Sequence, residues 1–485
     1  MTSDAATDRE RWRAFVVCVV VASLTILDIS KVNVGIPAIE ESLGADPTAL
    51  QLTVSGYALT FGLALVPAGR YGDLHSRRLM FLIGLGVFAL ASLACTVAPV
   101  PAALVAARLL QGVAAGILMP QVLGTIQAMF VGPERGRAFG VFGAVIGLSV
   151  AFGPTLGGLL IAAGGPDLGW RLIFLINVPL VAVVFPLAIR LLPRTQPVAE
   201  GARDLDPIGI VLLGAATVTL MLPFAFTTGS ETDDPARWWW LAGFVAAVAA
   251  FVLWERRYAA GGRAPVVDFG LFRLGGYRNG ILLATFYFGA MPAMFLGTTL
   301  FLQQGLGYSA VVAGLVSVPF ALASAATSWW SGRVVERIGR PLVIGGLLTV
   351  LLGVGGAAIA AFFLPVEQAP WAMAALLGLA GAGGGVVIAP NQTMTLADIP
   401  VTQGGLAGSI GQVGQRVGTA IGIAIATAVF YATLSQEAGE VTQLAAYHDA
   451  YRNAVFIVIG FVVAALLFGL IDLRQRRTGA IAEPV

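Results

Sequence analysis

The sequence predicts an all-α membrane protein with fourteen spanning helices and both termini on the cytoplasmic side. Composition is the first reason. Hydrophobic residues make up 58% of the chain and charged residues 11%, against about a quarter charged in an ordinary soluble domain. The second reason is the recurrence of apolar runs about 20 residues long, the length needed to cross a bilayer core. The third is the arrangement of arginines between those runs.

The runs fall at 14–38, 48–68, 79–98, 102–124, 137–162, 170–190, 207–227, 238–255, 279–303, 309–330, 342–363, 370–391, 404–432 and 453–472. In the first, Arg13 gives way to AFVVCVVVASLTIL, and Asp28 is the next charge. No small-residue cleavage site precedes a polar domain and further apolar runs follow, so a retained helix is expected, not a signal peptide. Gly and Pro are frequent inside the runs, which neighbouring helices tolerate in a membrane. Cys18 and Cys95 lie in apolar runs on different helices. They read as small buried hydrophobes, and no disulfide is inferred.

Every second loop is rich in arginine. The inside set is Arg9, Arg11 and Arg13; Arg70, Arg77 and Arg78; Arg135 and Arg137; Arg190, Arg194 and Arg203; Arg256, Arg257, Arg263, Arg273 and Arg278; Arg333, Arg337 and Arg340; Arg474, Arg476 and Arg477. The alternate loops carry acids: Glu40, Glu41, Asp46, Asp167, Glu231, Asp233, Asp234, Glu367, Glu437, Glu440 and Asp449. Arg171, Arg237 and Arg452 are the exceptions, at helix starts. This alternation requires an even number of spans.

An internal repeat organises the spans. GRYGDLHSR after the second run and GRVVERIGR after the tenth share the pattern G-R-x-x-acid-x-x-x-R, eight helices apart. GVAAGILMPQ in the fourth and GAGGGVVIAPNQ in the twelfth keep the same offset. The expected organisation is a six-helix bundle over 1–195, two inserted helices with linkers over 196–275, and a second six-helix bundle over 276–485. Repeats of this kind mark secondary transporters, with the substrate site between the halves.

Five motifs in order now carry a resemblance: LDISKVNVGIP at 27–37, GRYGDLHSRR at 69–78, RLLQGVAAG at 108–116, GLSVAFGPTLGG at 147–158 and WRLIFLINVP at 170–179. Together they resemble the major facilitator superfamily, in its fourteen-helix drug:proton antiporter branch. The resemblance covers nearly the whole chain. It implies the major facilitator fold, a proton gradient as the energy source with no cofactor, and a monomer in a bacterial inner membrane. It also implies export, through the fifth-run motif with Gly147, Gly153, Pro154, Gly157 and Gly158.

The motifs have physical readings too. In the 69–78 loop, Gly69 and Gly72 permit a tight turn, and Asp73 can cap the next helix or pair with Arg77. The resemblance implies a latch made by Gly69, Arg70, Gly72, Asp73, Arg77 and Arg78, with Arg333, Glu336 and Arg340 as the repeat counterpart. A plain topology anchor is the other reading. In the fifth run the glycines leave a smooth face beside a proline bend, suited to close helix packing.

Four charges stand well inside the runs: Asp28, Lys31, Arg108 and Arg416. An ionisable group there is costly and marks function by default. Asp28 can pair with Lys31, pair with Arg108, or hold a proton. Burial disfavours its charge while a nearby cation favours it, so a small rearrangement can load or release a proton. Asp28 is therefore expected to carry the proton and Arg108, which cannot deprotonate, to modulate it. A static ion pair is the rival. Lys31 is the only lysine among 28 Lys and Arg residues, and the branch usually has an apolar residue there. It is either a neutralising partner at i, i+3 or a cation facing cargo. Arg416 shares a face with Gln412 and either lines the cavity or joins the halves. Asn33, Gln111, Gln121, Asn391 and Gln392 are polar cavity candidates. Tyr287 and Met291 could belong to an adaptable apolar wall.

Cationic Lys31, Arg108 and Arg416, with no acid in the middle of runs 9, 10, 13 or 14, favour a neutral, zwitterionic or anionic amphiphile as cargo. An uptake symporter or lipid transporter on the same fold is the alternative. An enzyme is disfavoured: His75 and His448 lie in loops on opposite sides, and no metal-ligating, H-E-x-x-H, G-x-S-x-G or P-loop pattern is present. Net charge of +2 gives no case for a nucleic-acid partner.

Overall fold

A computed structural model describes residues 8–194, 206–225, 235–263, 265–267, 269–437 and 442–478. Arg203, Glu231, Asp233, Asp234 and Glu440, and the end of the 207–227 run, lie outside the described residues. Among the described residues every regular element is helical. In chain order they are α1 (Asp8–Leu43), α2 (Pro47–Leu74), α3 (Arg77–Thr96), α4 (Pro101–Met129), α5 (Gly132–Leu175), α6 (Asn177–Leu191) and α7 (Pro207–Ala225). There follow α8 (Trp239–Ala260), α9 (Gly275–Leu300), α10 (Ala310–Ile338), α11 (Arg340–Phe363), α12 (Ala369–Thr395), α13 (Gly404–Gln436) and α14 (Gln443–Arg477).

Among the described residues, twelve helical stretches are long and apolar enough to cross a membrane, and thirteen when a bent pair is one span. The bent pair is Gly132–Val150 with Phe152–Gly165, turned by 41°. Pro154 explains the bend: it offers no N–H to the carbonyl of Val150 and its ring crowds that carbonyl. Gly165, at φ +70°, then interrupts the helix, and the sixth span runs over Asp167–Leu191. The seventh expected span appears as a shorter apolar helix, Pro207–Leu220.

Short polar side chains start several helices. Asp46 accepts from Ala49 N at 2.7 Å, with Pro47 at the first helical position. Ser76, not Asp73, caps α3 by accepting from Leu79 N at 3.1 Å. Ser309 and Thr442 do the same for α10 and α14. Each cap satisfies an amide that the first turn leaves unbonded.

The offset of eight seen in the sequence reappears in the packing. α1 lies against α5, α2 and α3 against α4; α9 lies against α13, α10 and α11 against α12. α7 leans on α2 and α13, and α8 packs on α7. One buried cluster includes Phe15, Tyr57, Phe81, Phe88, Phe130 and Phe139. The second includes Tyr287, Met291, Met294, Phe301 and Phe430. Outward side chains such as Leu90, Leu352 and Phe363 are large, apolar and exposed, as a lipid-facing surface requires.

α1 and α5 approach closely because α5 presents glycine. A Cβ on Gly153 would strike Ser30, and one on Gly157 would lie 2.7 Å from the carbonyl oxygen of Lys31. This i, i+4 pair of small residues lets two backbones touch. Nothing crowds Gly158, and Pro154 is exposed. Gly147 meets α10 instead, at Ser324.

Candidate functional site

Asp28 is fully buried at the centre of a polar cluster built by five helices. From α4, Arg108 Nη1 donates to its Oδ2 at 2.5 Å. Lys31 Nζ, one turn along α1, stands 3.4 Å from Oδ1. Asn177, the first residue of α6, donates through Nδ2 to Oδ1 at 2.8 Å and accepts from Lys31 Nζ at 2.6 Å. Ser92 on α3 receives both Asn177 Nδ2 at 3.1 Å and Gln111 Nε2 at 2.8 Å. Gln111 Oε1 accepts from Arg108 Nη1 at 2.6 Å. Arg108 also donates through Nε to the carbonyl of Thr53 on α2 at 2.9 Å. One carboxylate thus faces two cations inside an apolar bundle, with neutral amides closing the remaining valences. Lys31 and Gln111, expected in the cavity, lie in this cluster and are buried.

Arg108 is the start of a ladder. Its guanidinium lies 4.3 Å from the ring centre of Tyr57. Tyr57 stacks on Phe61 with centroids 6.3 Å apart and planes 6° from parallel. Arg416, on α13, lies 4.5 Å from the Phe61 ring centre. Arg416 therefore sits where α13 meets α2.

The end of the bundle carrying the 69–78 loop is tied shut. Asp73 accepts from Gly405 N at 3.2 Å and Leu406 N at 2.8 Å, so it caps α13 across the seam. Arg77 holds that carboxylate at 2.7 Å, and donates to Gly124 O at 3.0 Å and Val401 O at 2.6 Å. Gly69 and Gly72 form no turn, since α2 runs on to Leu74; they permit close packing instead, Gly69 against the backbone of Gly405 and Gly72 against Gln121, with no room for a Cβ. Gln121 donates to Ala68 O at 2.9 Å, joining α4 to α2. Gln127 donates to Leu396 O and Ile399 O, at 3.1 and 3.0 Å. Ser328 on α10 reaches Gly140 O on α5 at 3.3 Å. Arg70 is buried here and Arg78 donates to Ile189 O.

The repeat counterpart is wired differently. Glu336 is exposed and Arg333 lies over Trp329, 3.3 Å from its ring centre. Arg340 turns inward: its Nε donates to Asp472 at 2.5 Å and its Nη1 to Asn391 Oδ1 at 2.7 Å. Arg476 Nε joins Asp472 at 2.9 Å, and Asn391 Nδ2 donates to Gly280 O at 2.9 Å. α14 therefore does carry a buried acid. The sequence placed Asp472 at the end of the last run, whereas the helix continues to Arg477 and encloses it. Beside this cluster Asp398, between α12 and α13, has its carboxyl pushed above the usual range, chiefly by burial, with Asp472 adding and Arg476 opposing.

Of the remaining cavity candidates, Asn33 is exposed on α1 and Gln392 partly buried on α12. Gln412 is buried on α13; Met291 and Tyr287 lie within the second core cluster. Asn391 belongs to the Arg340 cluster. Asn177 and Ser92 were missed. The signal for Asn177 was a lone amide in WRLIFLINVP, at a depth where an unpaired polar group is costly.

The profile of the Major Facilitator Superfamily matches residues 18–423 and 281–483. The probable actinorhodin transporter of Streptomyces coelicolor is 33% identical over 436 residues, covering 88% of this chain and 74% of that protein. The puromycin resistance protein of Streptomyces alboniger is 34% identical over 464 residues, covering 95% and 90%. The cephamycin export protein of Amycolatopsis lactamdurans is 34% identical over 458 residues, covering 92% and 90%. Among solved structures, the human organic anion transporter MFSD10 superposes with a TM-score of 0.62 at 16% identity, over 94% of this chain and 99% of that one.

Proposed function

The chain belongs to the Major Facilitator Superfamily, as a multi-pass membrane transporter and not an enzyme, and from that premise we propose that it is a proton-coupled exporter of amphiphilic small molecules. The relatives named for export of or resistance to actinorhodin, puromycin and cephamycin support the direction and the cargo class. We read the organisation as two six-helix bundles, 1–195 and 276–485, with 196–275 inserted. We read fourteen spans with both termini in the cytoplasm, in a bacterial inner membrane, acting as a monomer with no cofactor and no nucleic-acid partner.

One observation carries the reading: Asp28 is a buried carboxylate between two cations, Arg108 and Lys31, in the bundle whose Asp73 closes the seam. With Asp73 tied to α13 and Arg77 to Val401 just before it, we read the cytoplasmic side as shut. A proton from outside that binds Asp28 cancels its charge and releases Arg108 and Lys31 from it. The latch at Asp73 and Arg77 then opens, the halves rock, and the proton leaves inward as cargo loads. We read Gln412 and Arg416 as cavity groups, while Lys31 and Gln111 belong to the proton cluster and Asn391 to the Arg340 cluster. A neutral, zwitterionic or anionic cargo suits a site rich in cations.

The test is transport into inverted membrane vesicles. Accumulation of a fluorescent amphiphile that requires an inside-acid gradient, and collapses with a protonophore, is the expected result. Accumulation unaffected by the protonophore contradicts proton coupling, and gradient-driven loss from the vesicles contradicts export.

A further inference from the structure

We infer that Arg416 is the docking point for a negatively charged group on the cargo, an inference that rests on the transport reading above. Arg108 and Lys31 face Asp28; Arg77 faces Asp73; Arg340 and Arg476 face Asp472. Among the described residues Arg416 has no carboxylate within ion-pair distance, and its Nε is buried with no acceptor. A guanidinium cannot escape this cost by losing its proton. A cation held without a counter-charge at membrane depth marks a ligand or ion path.

Its surroundings fit a receptor. Arg416 is partly exposed, not sealed in a core. Its planar group lies over Phe61, 4.5 Å from the ring centre. A ring under the guanidinium face leaves the N–H edge for a carboxylate or phosphate, which takes two parallel hydrogen bonds. Gln412, one turn back, and Gln415, beside it, add neutral amide donors. Arg416 lies eleven residues along α13 from the Gly405 amide that closes on Asp73, or about 16 Å at the helical rise. That places it well beyond the closed latch.

The position also joins cargo to the proton site. Phe61 stacks on Tyr57, and Arg108 lies over Tyr57 while binding Asp28. An anion on Arg416 and a proton on Asp28 therefore act on opposite ends of one stack of rings, contributed by α2 and gripped by both halves.

Binding of 9-anthracenecarboxylate and of its neutral methyl ester to the purified, detergent-solubilised full chain tests the assignment. Wild type should bind the acid at least tenfold more tightly than the ester. Arg416→Gln should lower affinity for the acid at least tenfold and for the ester less than twofold, while Arg416→Lys restores most of the acid's affinity. A wild type with no preference for the acid, or an equal loss of both ligands in Arg416→Gln, overturns the inference. Selective acid binding without gradient-driven transport of any amphiphile would leave Arg416 as an anion site and sink the exporter reading alone.

Discussion

Asn177 and Asp28 are 149 positions apart in the chain, yet the amide Nδ2 of Asn177 donates to Asp28 Oδ1 at 2.8 Å. The same amide oxygen takes the Lys31 ammonium at 2.6 Å, so Asn177 holds acid and base in register. Asn177→Leu should leave Lys31 and Asp28 incompletely satisfied. Burying such groups costs about 1–3 kcal/mol each. We expect a thermal midpoint several degrees lower and pH-driven efflux down about tenfold, measured on purified protein and in inverted vesicles. Unchanged efflux and stability would reduce Asn177 to a spectator.

Lys31 is a second cation on an acid that Arg108 already holds. In Lys31→Ile the carboxylate loses one of its two neighbours, so a proton should bind at lower proton concentration. The pH dependence of efflux should then shift to higher pH, with the protein still folded through the Asp28–Arg108 pair. A superimposable pH profile would show that Lys31 only balances charge.

Asp73 caps α13 and pairs with Arg77 at once. Asp73→Asn weakens the cap and leaves Arg77 buried without its acid, a loss of roughly 3–5 kcal/mol. A cysteine placed at Ser409, in a background lacking Cys18 and Cys95, should react with a cytoplasmic maleimide at least tenfold faster when this change is present. An unaltered rate would mean that the tie does not hold the seam shut.

Much of this was legible in the sequence. The eight-helix offset between GRYGDLHSR and GRVVERIGR was visible in the sequence, and the packing repeats it, α1 on α5 as α9 on α13, though which helices pair was not legible. Asp28 and Arg108 stood out because charge inside an apolar run has few solutions. The pair of Asp73 with Arg77 was legible, but its tie to α13 was not: an N-cap acting across the seam leaves no local pattern, whereas Ser76 carried the local cap. Arg340 likewise looked like a copy of Arg77. Its acid, Asp472, lay 132 positions away and read as the end of a helix.

Asp472 holds Arg340 and Arg476. Asp472→Asn strands two buried cations, so stability should fall by several kcal/mol. The relative transport rates of different cargoes should stay constant, since the cluster lies away from the seam with α2. Thermal unfolding and competition assays measure both. A change in selectivity with unchanged stability would move Asp472 into the cargo path.

Asp28→Asn in proteoliposomes bears most directly on the proton site, because amide and carboxylate are nearly the same size and only the exchangeable proton is lost. Cargo uptake driven by a pH gradient should fall at least a hundredfold, while gradient-free exchange of labelled for unlabelled cargo persists within about threefold. Gradient-driven uptake that continues at the wild-type rate would contradict Asp28 as the proton carrier.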